Sequence, residues 1–233
     1  MTKYGIIGAM EVEVQELLAA MTESRSLTRA SMEFHEGTIG GAEVVVVRSG
    51  VAKVNAAVCV QILADEFHVT HIINTGVAGS LDAEINIGDI VLSTDACYHD
   101  VDATVFGYRP GEVPQMGRLE FPADGALRAA LKQAIEESVT DIHVFEGRVV
   151  SGDQFIADKE KKETIRETFQ GLCCEMEGAA IAQTAHLNGI PFCIVRAISD
   201  KADGSDVMDY PVFEKKAAAD CARLIQAFLS KQS

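Results

Sequence analysis

Apolar runs that alternate with helical patterns along the whole chain constrain its fold more than any other feature. "YGIIGAM", "MEFHEGTIG", "AEVVVVRSG", "HIINTG", "DIVLSTDACYHD", "FEGRVVSGD" and "FCIVRAIS" read as strands. Several are Ile/Val runs without polar alternation, the pattern of a strand covered on both faces. Between them, residues 11–21, 53–67, 124–137, 158–169, 177–188 and 212–230 read as helices. Ala56, Val60, Leu63 and Phe67 recur at helical spacing, and Pro211 stands near the start of the last helix, where its missing N–H costs nothing. The alternation predicts an α/β fold: a single-domain, three-layer α/β/α arrangement with a central mixed, twisted sheet flanked by helices. No repeat, low-complexity tract or Pro/Gly-rich linker divides the chain, so one domain over residues 1–233 is expected. "MTESRSL" and "YRPGEVPQMGRLEFPADG" read as loops, and the second is longer than an ordinary connection.

Composition narrows the function classes. With 233 residues and 48% hydrophobic content, the chain can bury roughly 70–75% of its unfolded surface in one core. A formal charge of −15 argues against nucleic acid as a partner, because phosphate recognition needs clustered Lys and Arg. Cys59, Cys97, Cys173, Cys174, Cys193 and Cys221 lie in apolar segments without C-x-x-C spacing and read as reduced core residues of a cytoplasmic protein. The start, "MTKYGIIGAMEVEV", reads as neither a signal peptide nor a membrane span.

Four segments, "GAMEVEV", "SGVAKVNAA", "NTGVAGSL" and "SGDQFI", read as strand ends where small residues let backbone approach a ligand. Neither G-x-G-x-x-G nor a P-loop occurs, so no dinucleotide or nucleoside triphosphate cofactor is expected. The histidines lack metal-ligand spacing; only "YHDVD" (His99, Asp100, Asp102) offers a weak metal reading, and no metal is expected. Three carboxylates are more informative. Glu13 follows the first Gly-rich turn, Glu177 sits in "CCEMEGAA" and Asp200 closes the apolar run "CIVRAIS". Taken singly, each also reads as a helix-start acid or a turn residue.

In order and wording, "GIIGAMEVEV", "SGVAKVNAA", "INTGVAGSL", "GDIVLSTDACYHDVDATVFGY", "VSGDQFI", "EMEGAAIA" and "VRAISDKAD" resemble the bacterial 5′-methylthioadenosine/S-adenosylhomocysteine nucleosidases of the purine nucleoside phosphorylase superfamily. The resemblance runs from residue 4 to about 230 and implies that fold, with no cofactor. It implies hydrolysis of the bond between adenine and a 5′-thio-substituted ribose, with 5′-deoxyadenosine as a further substrate. On it, Asp200 is the general acid toward adenine, in a desolvated setting that favours a neutral carboxyl. Glu13 activates water on the other face of the sugar, and Glu177 accepts from the ribose hydroxyls. Met176 and Met10 pack near the ribose, with Val51 and Val77 in the same site. Phe155 stacks on adenine, the Ile156 backbone meets its polar edge, and Ser199 orients Asp200. Arg196 and Glu175 order the water or the carboxylates.

The resemblance also implies a homodimer in which loop 101–118 contributes to the neighbouring site. Ala103, Phe106 and Pro114 would line the partner's 5′-alkylthio pocket, with Tyr108 and Tyr210 closing it. Val77 and Ala103 depart from the Ser and Val common at those places, which leaves the preferred 5′ substituent open. Two rivals follow. A phosphorylase would need cationic groups for phosphate, where this chain offers Glu13; a nucleoside-binding protein without activity would not need all three carboxylates.

Overall fold

The computed structural model describes residues 2–139, 142–201 and 210–232, the side chains of residues 210–212 excepted. In chain order the elements are β1 (Lys3–Gly8), α1 (Glu11–Ala20), β2 (Thr22–Arg29), β3 (Met32–Ile39), β4 (Ala42–Arg48), α2 (Lys53–Asp65), β5 (His71–Ser80) and β6 (Ile90–Tyr98). After a 3₁₀ turn at Thr104–Phe106 come β7 (Glu120–Pro122), α3 (Gly125–Ser138), β8 (Val144–Ser151), α4 (Lys159–Phe169), β9 (Cys173–Glu175), α5 (Gly178–Asn188), β10 (Phe192–Asp200) and α6 (Tyr210–Leu229).

One mixed sheet joins all ten of these strands, in the order β10-β6-β8-β9-β5-β1-β4-β3-β2, with β7 added to β6. The central strands β1, β5 and β10 run parallel and are buried along almost their whole length, as their unbroken Ile/Val runs require. Apolar side chains of α2 and α5 pack on one face with Ile7, Val45 and Ile194. Those of α1, α3 and α6 pack on the other with Ile6, Val46 and Val195. The alternating inward and outward residues of β1 and β4 thus feed two separate cores, and the α/β/α layering follows. A third, smaller cluster joins Ile165 and Phe169 of α4 to Leu81, Cys97, Val150, Ile156 and Cys174.

Two features go beyond the sequence expectation. The sheet partly closes on itself: β10 pairs with both β6 and β5, and β9 with both β8 and β5, so that β5, β10, β6, β8 and β9 form a ring. "MTESRSL" lies largely in β2, an exposed strand paired with β3, and the long loop contains β7. Neither has the apolar pattern of a buried strand, which is why both read as loops; backbone pairing rather than burial makes them strands.

Candidate active site

The sheet forks at the site. One edge of β5 is covered by β1 up to the Ile7–Asn74 pair and by β9 from the Gly79–Cys174 pair onward. The stretch between, Thr75 to Ala78, keeps β10 on its other edge but has no ladder on this one. Its backbone groups must find side-chain partners. Val77 N–H donates to Glu13 Oε1 at 2.9 Å, and the Thr75 carbonyl accepts from Arg196 Nη1 at 3.4 Å. Thus "NTGVAGS" forms the last seven residues of β5, the part of the strand where its partner changes.

Glu13 stands in the first turn of α1, 2% exposed. Its Oε2 accepts from Ala9 N at 2.7 Å and Met10 N at 3.0 Å, so it closes the start of α1 as well as facing the fork. Burial pushes its pKa up against the pull of Arg196 and the three backbone N–H groups. Gly76 makes this approach possible: a Cβ there would collide with Glu13 Oε1 and Arg196 Nη1.

Arg196, fully buried on β10, is the electrostatic hub. Its Nη2 donates to Asn74 Oδ1 at 2.6 Å and to Glu175 Oε2, while Nη1 lies 3.9 Å from Glu13 Oε1. Glu175 in turn accepts from Ser151 Oγ, from Glu177 N at 3.1 Å and from Gly178 N at 2.8 Å, fixing the start of α5. Glu177 takes Ala52 N at 2.8 Å on Oε1, leaving Oε2 3.7 Å from Arg196 Nη2. Burial, reinforced by the neighbouring Glu175 charge, pushes the Glu177 pKa up to about 7. Ala52 holds its N–H there at φ 82° and ψ 166°, a conformation ordinarily reserved for glycine.

Asp200 is the last residue of β10, 7% exposed, and is neither a turn nor a cap residue. A register shift between Ile198 and Asp200 brings it opposite Gly79, whose hydrogen faces it; a Cβ there would lie 2.8 Å from Oδ2. Ser199 Oγ donates to Asp200 Oδ1 at 3.3 Å, the expected partnership. Its other partner is unforeseen: Lys162 Nζ of α4 donates to Oδ2 at 2.6 Å. Asp200 is thus ion-paired rather than set in a purely apolar surround. Lys162 had a legible signal, since it falls with Ile165 and Phe169 on the buried stripe of an otherwise charged helix.

These groups surround one open cleft. Glu13, Glu177 and Asp200 all line it, with Met10, Val51, Val77, Phe155, Glu175, Met176 and Ser199. Ala9, Ala78, Gly79 and Cys174 complete the wall and were not singled out in the sequence. Ile156 does not line it; its side chain is buried in the third core cluster. Arg196 stands behind the wall. Ala103, Phe106, Tyr108 and Pro114 are absent from this chain's own cleft, and the Tyr210 side chain lies outside the described residues. In "YHDVD", Asp100 is taken by Lys53 at 2.8 Å and Asp102 by Thr104. Among the described residues no His/Cys/Asp/Glu group is placed to hold a metal ion, and no helix is long and apolar enough to cross a membrane.

Comparison with known proteins gives this fold and cleft a class: a model of the Phosphorylase superfamily matches residues 3–230. A 5′-methylthioadenosine/S-adenosylhomocysteine nucleosidase of Halalkalibacterium halodurans is 42% identical over 99% of both chains. The crystal structure of such a nucleosidase from Neisseria meningitidis, in complex with methylthio-immucillin-A, is 38% identical with a TM-score of 0.94, covering 99% of this chain and 100% of that one. One from Colwellia psychrerythraea, in complex with adenine, is 39% identical with a TM-score of 0.93, covering 98% and 94%. The chain belongs to the 5′-methylthioadenosine/S-adenosylhomocysteine nucleosidase family of this superfamily and is an enzyme.

Proposed function

We propose that the chain hydrolyses the N-glycosidic bond of 5′-methylthioadenosine, S-adenosylhomocysteine and 5′-deoxyadenosine, releasing adenine and the 5-substituted ribose. The observation that carries this reading is that Glu13, Glu177 and Asp200 share one cleft although they lie far apart in the chain. Adenine leaves poorly as an anion, so Asp200 gives a proton to the imidazole half of the base as the bond breaks. Water held by Glu13 attacks the opposite face of the sugar, whose transition state carries oxocarbenium character, as in an inverting glycosidase. Glu177, with two acceptor oxygens, binds the ribose diol. Met10, Met176 and Phe155 supply apolar contact to sugar and base. Arg196 and Glu175 hold the carboxylates in place from behind.

The cleft wall carries no Lys or Arg among the described residues, and Arg196 behind it is engaged by Asn74 and Glu175. A phosphate dianion would meet carboxylates with no Lys or Arg in the cleft wall to receive it, which disfavours phosphorolysis. The chain acts as one nucleosidase-like domain over residues 1–233, in keeping with its single sheet. Its six buried free cysteines fit a reducing, cytoplasmic setting.

The working unit is a homodimer in which loop 101–118 brings Ala103, Phe106 and Pro114 to the partner's 5′-alkylthio pocket. Phe106 is 82% exposed, and Val51, Val54 and Val58 of the α2 region, with Leu187 of α5, add exposed apolar surface that a second copy would cover.

The test is adenine release from 5′-methylthioadenosine in phosphate-free buffer. Full turnover is expected there. Turnover that requires phosphate would make the protein a phosphorylase, and binding without release would make it a nucleoside carrier. Asp200→Asn and Glu13→Gln each lower kcat by about 10²–10⁴-fold with folding retained; a variant near wild-type turnover removes that residue from its role.

A further inference from the structure

Phe155 lines the cleft from a stretch, residues 152–157, that is neither helix nor strand. Its side chain is 61% exposed, so burial does little to fix its place, and the anchors on either side of it carry the more weight. On one side the Ile156 side chain is buried in the third core cluster. On the other, Asp153 is held twice: its N–H donates to Asp100 Oδ2 at 2.8 Å, and its Oδ1 accepts from Lys53 N at 2.9 Å. Pairing of the sheet brings these residues together, since His99 N donates to the Ser151 carbonyl at 2.9 Å just beyond the β6–β8 ladder.

Lys53 closes the triangle. Its Nζ reaches Asp100 Oδ1 at 3.0 Å and Oδ2 at 2.8 Å, and lies 3.5 Å from Asp153 Oδ2. Both oxygens of Asp100 are thus engaged by one cation, and the geometry of the carboxylate toward the Asp153 N–H is fixed. Lys53 is also the first residue of α2, directly after Ala52, whose N–H meets Glu177. Two consecutive N–H groups at the start of α2 therefore serve the two halves of the proposed substrate: Ala52 holds the carboxylate assigned to ribose, and Lys53 holds the stretch assigned to adenine.

We propose that Asp100, held by Lys53, is a positioning residue that sets Phe155 against the base. The inference rests on the reading of Phe155 as the residue that stacks on adenine. Asp100 is not part of the cleft wall and acts through the Asp153 N–H, two residues before the ring. Without its carboxylate, Asp153 is left with its contacts to Lys53, and the ring must be ordered anew each time a base binds, a cost that comes out of affinity. The sugar side is tied separately, through Ala52 N and Arg196 to Glu177, so the loss falls on the base.

The experiment measures adenine binding by calorimetry, and inhibition by the sugar product 5-methylthioribose, for wild type, Asp100→Ala, Asp100→Asn, Phe155→Ala and the Asp100→Ala/Phe155→Ala double variant. Phe155→Ala is expected to weaken adenine by about tenfold, the order of one base–aromatic contact, and Asp100→Ala by about fivefold. For 5-methylthioribose the Asp100→Ala loss stays below about twofold, since the sugar makes no such stack. In the double variant the Asp100→Ala step adds less than about twofold for adenine, because a residue that acts through Phe155 then has nothing to place. Asp100→Asn, which keeps an oxygen for the Asp153 N–H, retains the adenine affinity in greater part. The proposal is overturned by unchanged adenine binding in Asp100→Ala, by equal losses for base and sugar, by a full fivefold step without the Phe155 ring, or by an Asp100→Asn protein no better than Asp100→Ala; a general loosening of the fold gives the second and third of these. Should Phe155→Ala bind adenine like wild type, the stacking assignment itself falls, a result distinct from the other four. Where Asp100→Ala does not fold, Lys53→Met, which removes the grip on Asp100 and keeps the backbone N–H, enters the same cycle with the same expected pattern.

Discussion

Glu177 shows how one residue ties activity to stability. Burial and the Glu175 charge push its pKa up to about 7. Below that value it is protonated and loses one of the two acceptors proposed for the ribose diol. Accordingly kcat/KM, which reports groups of the free enzyme, is expected to decline as pH falls through about 7. Stability runs the other way. A carboxyl whose pKa is higher folded than unfolded favours the folded state at low pH, and that contribution is lost as pH rises through about 7. Glu177→Gln is thus expected to raise Tm relative to wild type more at pH 8 than at pH 5, while lowering kcat/KM by about 10²-fold through its weaker bonds to the diol. Thermal melts at the two pH values check the first effect; a Tm difference that is the same or larger at pH 5 would contradict it. Glu13 was readable from sequence either as a helix-start acid or as a site residue; it stands in the first turn of α1 and in the wall of the cleft.

At the scale of elements, the six helices and seven of the strands were legible because each carries a periodic apolar face or an unbroken apolar run. The strands that were not, β2, β7 and β9, are exposed or only three residues long, and they owe their existence to a neighbour's backbone. The start of α2 illustrates a local rule broken for the sake of the site. Ala52 takes φ 82° so that its N–H meets Glu177, a conformation that costs a non-glycine residue about 1–3 kcal/mol. Ala52→Gly relieves that strain, against which stands the extra freedom glycine gives the unfolded chain, about 0.4–1 kcal/mol. A net gain of about 1 kcal/mol in denaturant unfolding is expected. A destabilised Ala52→Gly protein would show that the backbone there is unstrained.

On the scale of the whole molecule, exposed apolar side chains such as Val54, Phe106 and Leu187 form the surface proposed above to meet a second copy. Sedimentation is expected to give twice the chain mass, and Phe106→Asp to shift it toward monomer with loss of activity; a fully active monomer would remove loop exchange from the proposal. The sequence by itself determined the layers, the order of most elements and the residue types of the site, because periodicity and short motifs are local properties of a chain. It also carried the three carboxylates, each within a short motif. Only the tertiary structure decided that they meet, because the meeting depends on the fork where β5 exchanges β1 for β9, a matter of backbone pairing between segments distant in the chain. The same holds for Lys162 against Asp200, a contact between α4 and the end of β10 that no local pattern encodes. Charges interact through space with a strength set by burial and distance, and neither quantity exists until the chain has folded.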